Sequence, residues 1–104
     1  MAQFDVYQNR NPDSNQAIPF LLDVQADLLS HLATRVVVPL VSAVIMDRAI
    51  NYLNPQFVIA NTPVVMSTAE MAGVSVHVLG EKIFSLNDRR DEIIAALDFL
   101  IMGF

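Results

Sequence analysis

Two histidines and two aspartates are the side chains that could support catalysis or metal binding in this chain of 104 residues. His31 and His77 lie far apart, and neither has a second His or a Cys at the spacing that a metal ligand set requires. We predict that His31 lies in a loop and that His77 faces solvent or a neighbouring strand. Asp23 and Asp27 frame the segment DVQAD. Two carboxylates without further oxygen-rich neighbours more often cap turns or solvate a loop, so no metal site is predicted.

The glycines, serines and cysteines also give no catalytic motif. Gly73, Gly80 and Gly103 are the only glycines, and none forms a phosphate-binding loop beside a strand-to-helix turn. No serine lies in a nucleophile-elbow pattern. The absence of cysteine excludes a thiol nucleophile, a zinc knuckle and a disulfide framework. The sequence therefore predicts a protein that is not an enzyme and that uses no cofactor or metal.

The composition favours a protein that binds other proteins. Six basic residues against 11 acidic ones give a net charge of −5, and this field repels nucleic acid. A hydrophobic fraction of 54% is high for so small a chain, so part of the apolar surface is expected to contact a partner. The longest nearly apolar run, Val36–Met46, is about half the ~20 residues of a membrane span. We predict one domain over residues 1–104 that is cytoplasmic and does not contact a membrane.

Short strands are predicted over most of the chain. The polar segment Gln8–Gln16 predicts a projecting loop, Asn61–Pro63 a turn between neighbouring strands, and Pro39 an edge strand or a strand end. The apolar residues of Ser42–Asn54 fit neither a strand nor a helix period, so this segment is predicted to be irregular. The strands predicted from alternation or short apolar runs are Gln3–Tyr7, Ile18–Val24, Arg35–Leu40, Gln56–Ala60, Pro63–Ser67 and Val74–Gly80.

The last element is predicted to be a helix over Asp88–Met102, with Asn87 as its N-cap and Gly103 after its end. The stripe that should dock on the sheet consists of Ile93, Ala96, Leu97 and Leu100. An adjoining arc consists of Ile94, Asp98, Ile101 and Met102. The final two turns are thus apolar over more than one sheet face can cover. Strands followed by a terminal helix predict a mainly β (α+β) fold, an antiparallel β domain with a docked helix.

Four segments give the chain a resemblance to a known family. They are FLLDVQADLL at 20–29, RVVVPL at 35–40, EMAGVSVHVLGE at 70–81 and the terminal GF. Each is weak alone, but together they are specific and span nearly the whole length. Through them the chain resembles CcdB, the toxin of the ccd toxin–antitoxin modules. The resemblance implies a small SH3-like antiparallel β barrel of the CcdB–MazF type, with a C-terminal α-helix, that forms a homodimer.

The resemblance also implies a function. Members of the family bind the A subunit of DNA gyrase and trap the gyrase–DNA cleavage complex, without catalytic activity of their own. A CcdA-like antitoxin neutralises them and represses the operon in complex with them, which serves plasmid maintenance. The positions of this chain that match the gyrase-binding positions of the family are Leu28, Leu29, Asp98, Ile101, Met102, Gly103 and Phe104.

Two of these positions depart from the best-studied form of the family. Met102 stands where that form has Trp, and Asp98 stands where it has Asn. Met offers adaptable dispersion contacts but no flat face that can stack on an arginine. A charge at Asp98 is costly to bury unpaired, so the partner should supply a cation or leave the side chain wet. The carboxylate of Phe104, near the negative pole of the helix, has the same preference.

Simpler structural roles are available for the same residues. Gly103 can be a helix C-cap with a left-handed backbone, on which Phe104 folds back towards the helix. Leu28 and Leu29 can be core residues, which is the default for paired aliphatic side chains. The C-cap is compatible with a binding role. The loop-like segment SHLAT at 30–34, which follows the two leucines, weakens the core interpretation.

Two other functions stay open. A MazF-like endoribonuclease toxin shares the fold, but it requires a basic RNA-binding face, and the six cations here are scattered and outnumbered. A decayed, non-toxic dimer that still binds antitoxin is the other alternative, and Met102 in place of Trp is the feature that supports it.

Overall fold

Strands dominate the part of the chain that the structure describes. The structure is a computed structural model that describes residues 2–46, 49–50 and 52–103. Its strands are β1 (Asp5–Asn9), β2 (Phe20–Asp23), β3 (Thr34–Ser42), β4 (Gln56–Ile59), β5 (Thr62–Met66), β6 (Ala72–Ser75) and β7 (Leu79–Ser85). The helix α1 (Arg90–Met102) follows them. Short 3₁₀ turns lie at Asp27–Leu29, Thr68–Glu70, Val76–Val78 and Asn87–Arg89.

The strands form one antiparallel sheet that curls because β3 has two neighbours on the same edge. The strand order is β4-β5-β3-β2-β1-β7, and β6 also pairs with β3. The first half of β3, from Thr34 to Val37, pairs with β6, and the second half, from Leu40 to Ser42, pairs with β5. The result is a half-barrel with one C-terminal helix. This confirms the predicted mainly β, SH3-like antiparallel fold.

Pro39 lies inside β3, so its predicted place on an edge strand or at a strand end is wrong. It pairs with Leu21 of β2, and its carbonyl accepts a hydrogen bond from the Ser67 N–H at 2.9 Å. Ser67 lies between β5 and β6, where β3 changes from one neighbour to the other. A proline can therefore occupy this position because its missing N–H faces a gap between two ladders.

The main core lies between the concave face of the sheet and α1. Ile93 and Ala96 of the helix are fully buried in it, and Leu97 packs against its edge. Ile94 also packs against the core, although the helical wheel placed it on the adjoining arc and outside the docking stripe. The buried strand residues of this core include Phe4, Val6, Phe20, Leu22, Val38, Leu40, Phe57, Ile59, Val64 and Met66.

Val74–Gly80 is not one strand, although its alternation predicts one. β6 ends at Ser75, the chain makes the 3₁₀ turn, and β7 begins at Leu79. The Ser75 hydroxyl accepts a hydrogen bond from the His77 N–H at 3.2 Å, which stabilises the turn. The turn transfers the chain from the edge of β3 to the edge of β1. His77 is exposed on this turn, and His31 is exposed in the β2–β3 connection.

The helix begins differently from the prediction and ends as predicted. The chain enters α1 through a 3₁₀ turn, so Asn87 is not the N-cap and the helix starts at Arg90. The buried Leu86 anchors this entry, because its carbonyl accepts the Arg89 N–H at 2.8 Å. At the other end Gly103 has φ = +80°, and its N–H donates to the Phe99 carbonyl at 2.9 Å. The glycine C-cap is confirmed.

The remaining differences concern boundaries. β1 begins two residues later than predicted and extends to Asn9, and β2 is shorter than Ile18–Val24. The described residues of Ser42–Asn54 after β3 form turns, in agreement with the irregular segment that was predicted. Asp47, Arg48 and Asn51 lie outside the described residues.

The β4–β5 turn is strained at one residue. Ala60 and Asn61 connect the paired residues Ile59 and Thr62, and their φ angles are +49° and +65°. Such a two-residue turn needs a left-handed backbone at both central positions, which Asn tolerates and Ala does not.

Replacing Ala60 by Gly should therefore raise the free energy of unfolding by about 0.5–1 kcal/mol, after allowing for the added freedom of the unfolded chain. The same substitution at Ala95, on the exposed side of α1, should lower it by about 1 kcal/mol. Urea denaturation of both variants checks the prediction. Destabilisation by Ala60→Gly would contradict the left-handed assignment of this turn.

Candidate functional site

The end of α1 carries apolar side chains that the core does not cover. Ile101 is 70% exposed and Met102 is 60% exposed. The helix residues that pack against the core lie at least one turn earlier in the chain. Asp98 and Gly103 are exposed beside them. We call these four residues the helix tip. Phe104, the remaining predicted residue of this group, lies outside the described residues.

The helix tip also carries negative charge without a basic residue in the last turn of α1. The negative pole of the helix and the Asp98 carboxylate therefore have no cation beside them on the helix. Apolar side chains next to an uncompensated negative charge are suited to a surface that offers both a groove and a cation.

The β2–β3 connection forms a second exposed apolar surface. Leu28 and Leu29 lie on its 3₁₀ turn, and Leu28 is 88% exposed. The alternative of core packing is therefore wrong for both leucines, since Leu29 is exposed as well. Leu32, three residues after this turn, is also exposed and adds to this surface, although no pattern in the sequence singled it out. We call residues 26–34 the leucine loop.

Asp23 and Asp27 do not form the metal site that their spacing could have allowed. Asp23 is fully buried and accepts hydrogen bonds from Arg35 Nε at 2.9 Å and Nη2 at 2.5 Å. Asp27 is exposed and its Oδ1 accepts the Gln3 N–H at 2.6 Å. Over the described residues, no cluster of three or more His, Asp and Glu side chains has the geometry of a metal site.

The prediction that Asp23 caps a turn or solvates a loop was incomplete. Its Oδ1 does accept the Gln25 N–H, but the other oxygen belongs to a buried ion pair. Burial raises the pKa of the Asp23 carboxyl, while the hydrogen bonds from Arg35 and from the Gln25 N–H act in the opposite direction. A useful signal was present in the sequence, since an acidic residue ends one apolar strand and a basic residue starts the next.

A second polar contact lies on the same face of the sheet. Lys82 Nζ is 3.3 Å from Asp5 Oδ1, and the Tyr7 hydroxyl donates to Asp5 Oδ2 at 3.4 Å. Burial and the neighbouring Asp5 carboxylate raise the pKa of Tyr7 to about 12. The phenol therefore stays protonated at neutral pH and acts as a hydrogen-bond donor within the fold. Together with the Asp23–Arg35 pair, this group has a structural role.

These observations define a class of protein: a small β domain with a docked helix, whose helix tip and leucine loop expose large apolar side chains. The family model described as CcdB protein matches residues 3–103. The chain therefore belongs to the CcdB family, and the resemblance found in the sequence is confirmed. Membership indicates a toxin of a toxin–antitoxin system, from a family that is not catalytic in itself and whose partners are in general gyrase and an antitoxin.

One further observation concerns membranes. None of the helical segments among the described residues combines the length and the apolar character that crossing a bilayer requires.

Proposed function

We propose that this chain is the toxin of a type II toxin–antitoxin system, that it binds the A subunit of DNA gyrase, and that it traps the gyrase–DNA cleavage complex. The observation that carries the proposal is the exposure of Ile101 and Met102 at the end of a helix that is packed against the core through Ile93 and Ala96. Large apolar side chains on a rigid element are the usual anchors of a protein interface. Leu28 and Leu29 provide a second anchor.

The charge of the helix tip favours a basic target surface. Asp98 and the negative pole of α1 lie beside the apolar anchors with no basic residue in the last turn. An arginine of the partner can pair with this carboxylate, and Met102 can adapt its flexible thioether to the adjacent surface. The protein then contributes an apolar and anionic wedge, and gyrase performs all of the chemistry on DNA.

We further propose that residues 1–104 act as one cytoplasmic domain that forms a homodimer. A homodimer doubles the number of helix tips and leucine loops, which suits a target with two identical subunits. A CcdA-like antitoxin neutralises the dimer and represses the operon together with it. No direct nucleic-acid contact of the toxin is required, in keeping with its net charge of −5.

The test compares two double variants that remove equally exposed apolar side chains. Ile101→Ser/Met102→Ser changes the helix tip, and Val58→Ser/Phe84→Ser changes exposed residues of β4 and β7. Loss of two interface anchors should weaken binding to the gyrase A subunit by about 2 kcal/mol or more, roughly 30-fold, whereas the control should bind like the parent protein. Calorimetric titration and the yield of cleaved DNA complex are the measurements.

Three outcomes would contradict the proposal. They are failure of the unmodified protein to stabilise cleaved DNA, equal binding of the two double variants to the gyrase A subunit, and cleavage of RNA by the sample. Healthy growth of cells that express the soluble protein without an antitoxin would favour the decayed dimer.

A further inference from the structure

The leucine loop has no hydrophobic anchor of its own. No side chain from residue 26 to residue 34 is buried, and Leu28 is 88% exposed, so burial contributes little to the shape of this segment. A docking surface is nevertheless effective only when its anchors are held in place before the partner arrives. Hydrogen bonds must therefore supply much of what holds Leu28 and Leu29 in position.

Gln25 supplies the hydrogen bonds that close the loop. Its side chain is nearly buried, with 7% exposure. The amide Nε2 donates to the Leu29 carbonyl at 3.0 Å and to the Thr34 carbonyl at 3.2 Å, and Oε1 accepts the Val36 N–H at 3.0 Å. One amide thus joins the turn that bears the two leucines to the beginning of β3. Both N–H groups and the oxygen of the amide are used.

The backbone of Gln25 is itself held by contacts with the Asp23–Arg35 ion pair. Its N–H donates to Asp23 Oδ1 at 3.0 Å, and Asp23 is held by the buried Arg35 side chain. Arg35 Nη2 also lies 3.5 Å from the Gln25 carbonyl oxygen. The ion pair at the base of the loop therefore orients the amide that shapes the loop.

We propose that Gln25 is a positioning residue for gyrase binding, which holds Leu28 and Leu29 in the conformation that docks. The inference rests on the proposed function. Gln25 need not touch gyrase, because its effect is to keep most molecules in the competent loop conformation. If only a tenth of the molecules retained that conformation, the apparent affinity would fall about tenfold.

The principal test is Gln25→Glu, with Gln16→Glu as a control for charge, since Gln16 is exposed in a distant loop. A carboxylate at position 25 can still accept the Val36 N–H, but it cannot donate to the Leu29 and Thr34 carbonyls. We expect about tenfold weaker binding to the gyrase A subunit for Gln25→Glu and unchanged binding for Gln16→Glu. Gln25→Met, which removes the same donors without adding charge, should behave like Gln25→Glu.

A double-variant comparison separates positioning from general stability. In a Leu28→Ala/Leu29→Ala background the anchors are gone, so Gln25→Glu should weaken binding no further. A further tenfold loss in that background would overturn the inference, because Gln25 would then act through other contacts. If Leu28→Ala/Leu29→Ala binds like the parent protein, the proposed use of the loop is wrong whatever Gln25 does.

Amide hydrogen exchange tests the loop without gyrase. The Leu29, Ser30 and Leu32 N–H groups are hydrogen-bonded within the loop, and in Gln25→Glu they should exchange about tenfold faster or more, with β4 and β5 unchanged. Should the variant fail to fold, the unmodified protein suffices, since the Gln25 side-chain amide should exchange far more slowly than that of Gln16. Equal exchange of these two side-chain amides, or unchanged loop exchange in the variant, would overturn the positioning role.

Discussion

Replacing Arg35 by Met should lower the free energy of unfolding by about 3–5 kcal/mol at neutral pH, the loss expected when one partner of a buried ion pair is removed. Arg35 and Asp23 are both buried, and the Nε and Nη2 groups of the guanidinium donate to one carboxylate oxygen, Oδ2. The variant leaves the Asp23 carboxylate in the interior without its cation. Arg89→Met is the control for an exposed arginine. It removes the Arg89–Glu92 pair, which is about half exposed, and the contact of the guanidinium with the Phe57 ring at 4.8 Å, and together these should contribute no more than about 2 kcal/mol.

The stability that Arg35→Met loses relative to the parent protein should be smaller at acid pH. Burial raises the pKa of the Asp23 carboxyl, and the hydrogen bonds from Arg35 and from the Gln25 N–H oppose that rise. Without the arginine only the Gln25 N–H opposes it, so the pKa lies further above the unfolded value in the variant than in the parent protein. A raised folded pKa gives stability that is present at low pH and is lost as pH rises through that pKa. Urea denaturation of the variant and the parent protein at pH 4 and pH 7 should therefore show the larger difference at pH 7. A pH-independent deficit, or one no larger than that of Arg89→Met, would contradict this account.

Removing both charges should recover most of the loss. In Asp23→Asn/Arg35→Met the asparagine oxygen can still accept the Gln25 N–H, and no charge is left buried. Among the described residues Arg35 Nη1 has no hydrogen-bond partner, so the native pair itself bears a desolvation cost that the double variant avoids. The coupling energy from the four proteins measures the pair directly.

The sequence predicts the helix better than the strands, for a physical reason. The 3.6-residue period and the glycine C-cap are local, so Ile93, Ala96 and the exposed end at Ile101 could be placed from spacing alone. The break in Val74–Gly80 could not, because its alternation equals that of a strand. The break depends on the Ser75 hydroxyl and on two separate neighbours, β3 and β1, which are distant in sequence.

The features of the candidate site likewise depend on contacts between strands that the sequence does not show. Exposure of Leu28 and Leu29 depends on where the chain leaves β2, and the sequence showed only that a loop-like segment follows them. The role of Gln25 was not predicted, since a glutamine beside a loop is ordinarily a solvated side chain. Its three hydrogen-bonding partners belong to residues 29, 34 and 36, which come together only when β2 and β3 pair. The ion pair of Asp23 and Arg35 arises from the same pairing.

Isoleucine-to-alanine substitutions at three positions of α1 should separate stability from binding. Ile93 is fully buried, so Ile93→Ala should lower the free energy of unfolding by about 3 kcal/mol through lost burial and a cavity. Ile94 packs at the core edge, and its substitution should cost about 1 kcal/mol. Ile101→Ala should change stability by no more than about 0.5 kcal/mol, because the side chain is largely exposed.

The loss of affinity for the gyrase A subunit should rank the variants in the opposite order from the loss of stability. Under conditions where all three variants are folded, Ile101→Ala should weaken binding about tenfold or more, and Ile93→Ala should bind nearly like the parent protein. Denaturation and calorimetric titration on the same samples give both orders. If Ile101→Ala lowered the free energy of unfolding as much as Ile93→Ala does, the helix tip would have to be covered. The dependence of that stability loss on protein concentration would then show whether a second copy of the chain covers the tip. In that case the tip serves to assemble the dimer, and the leucine loop alone would have to carry the contact with gyrase.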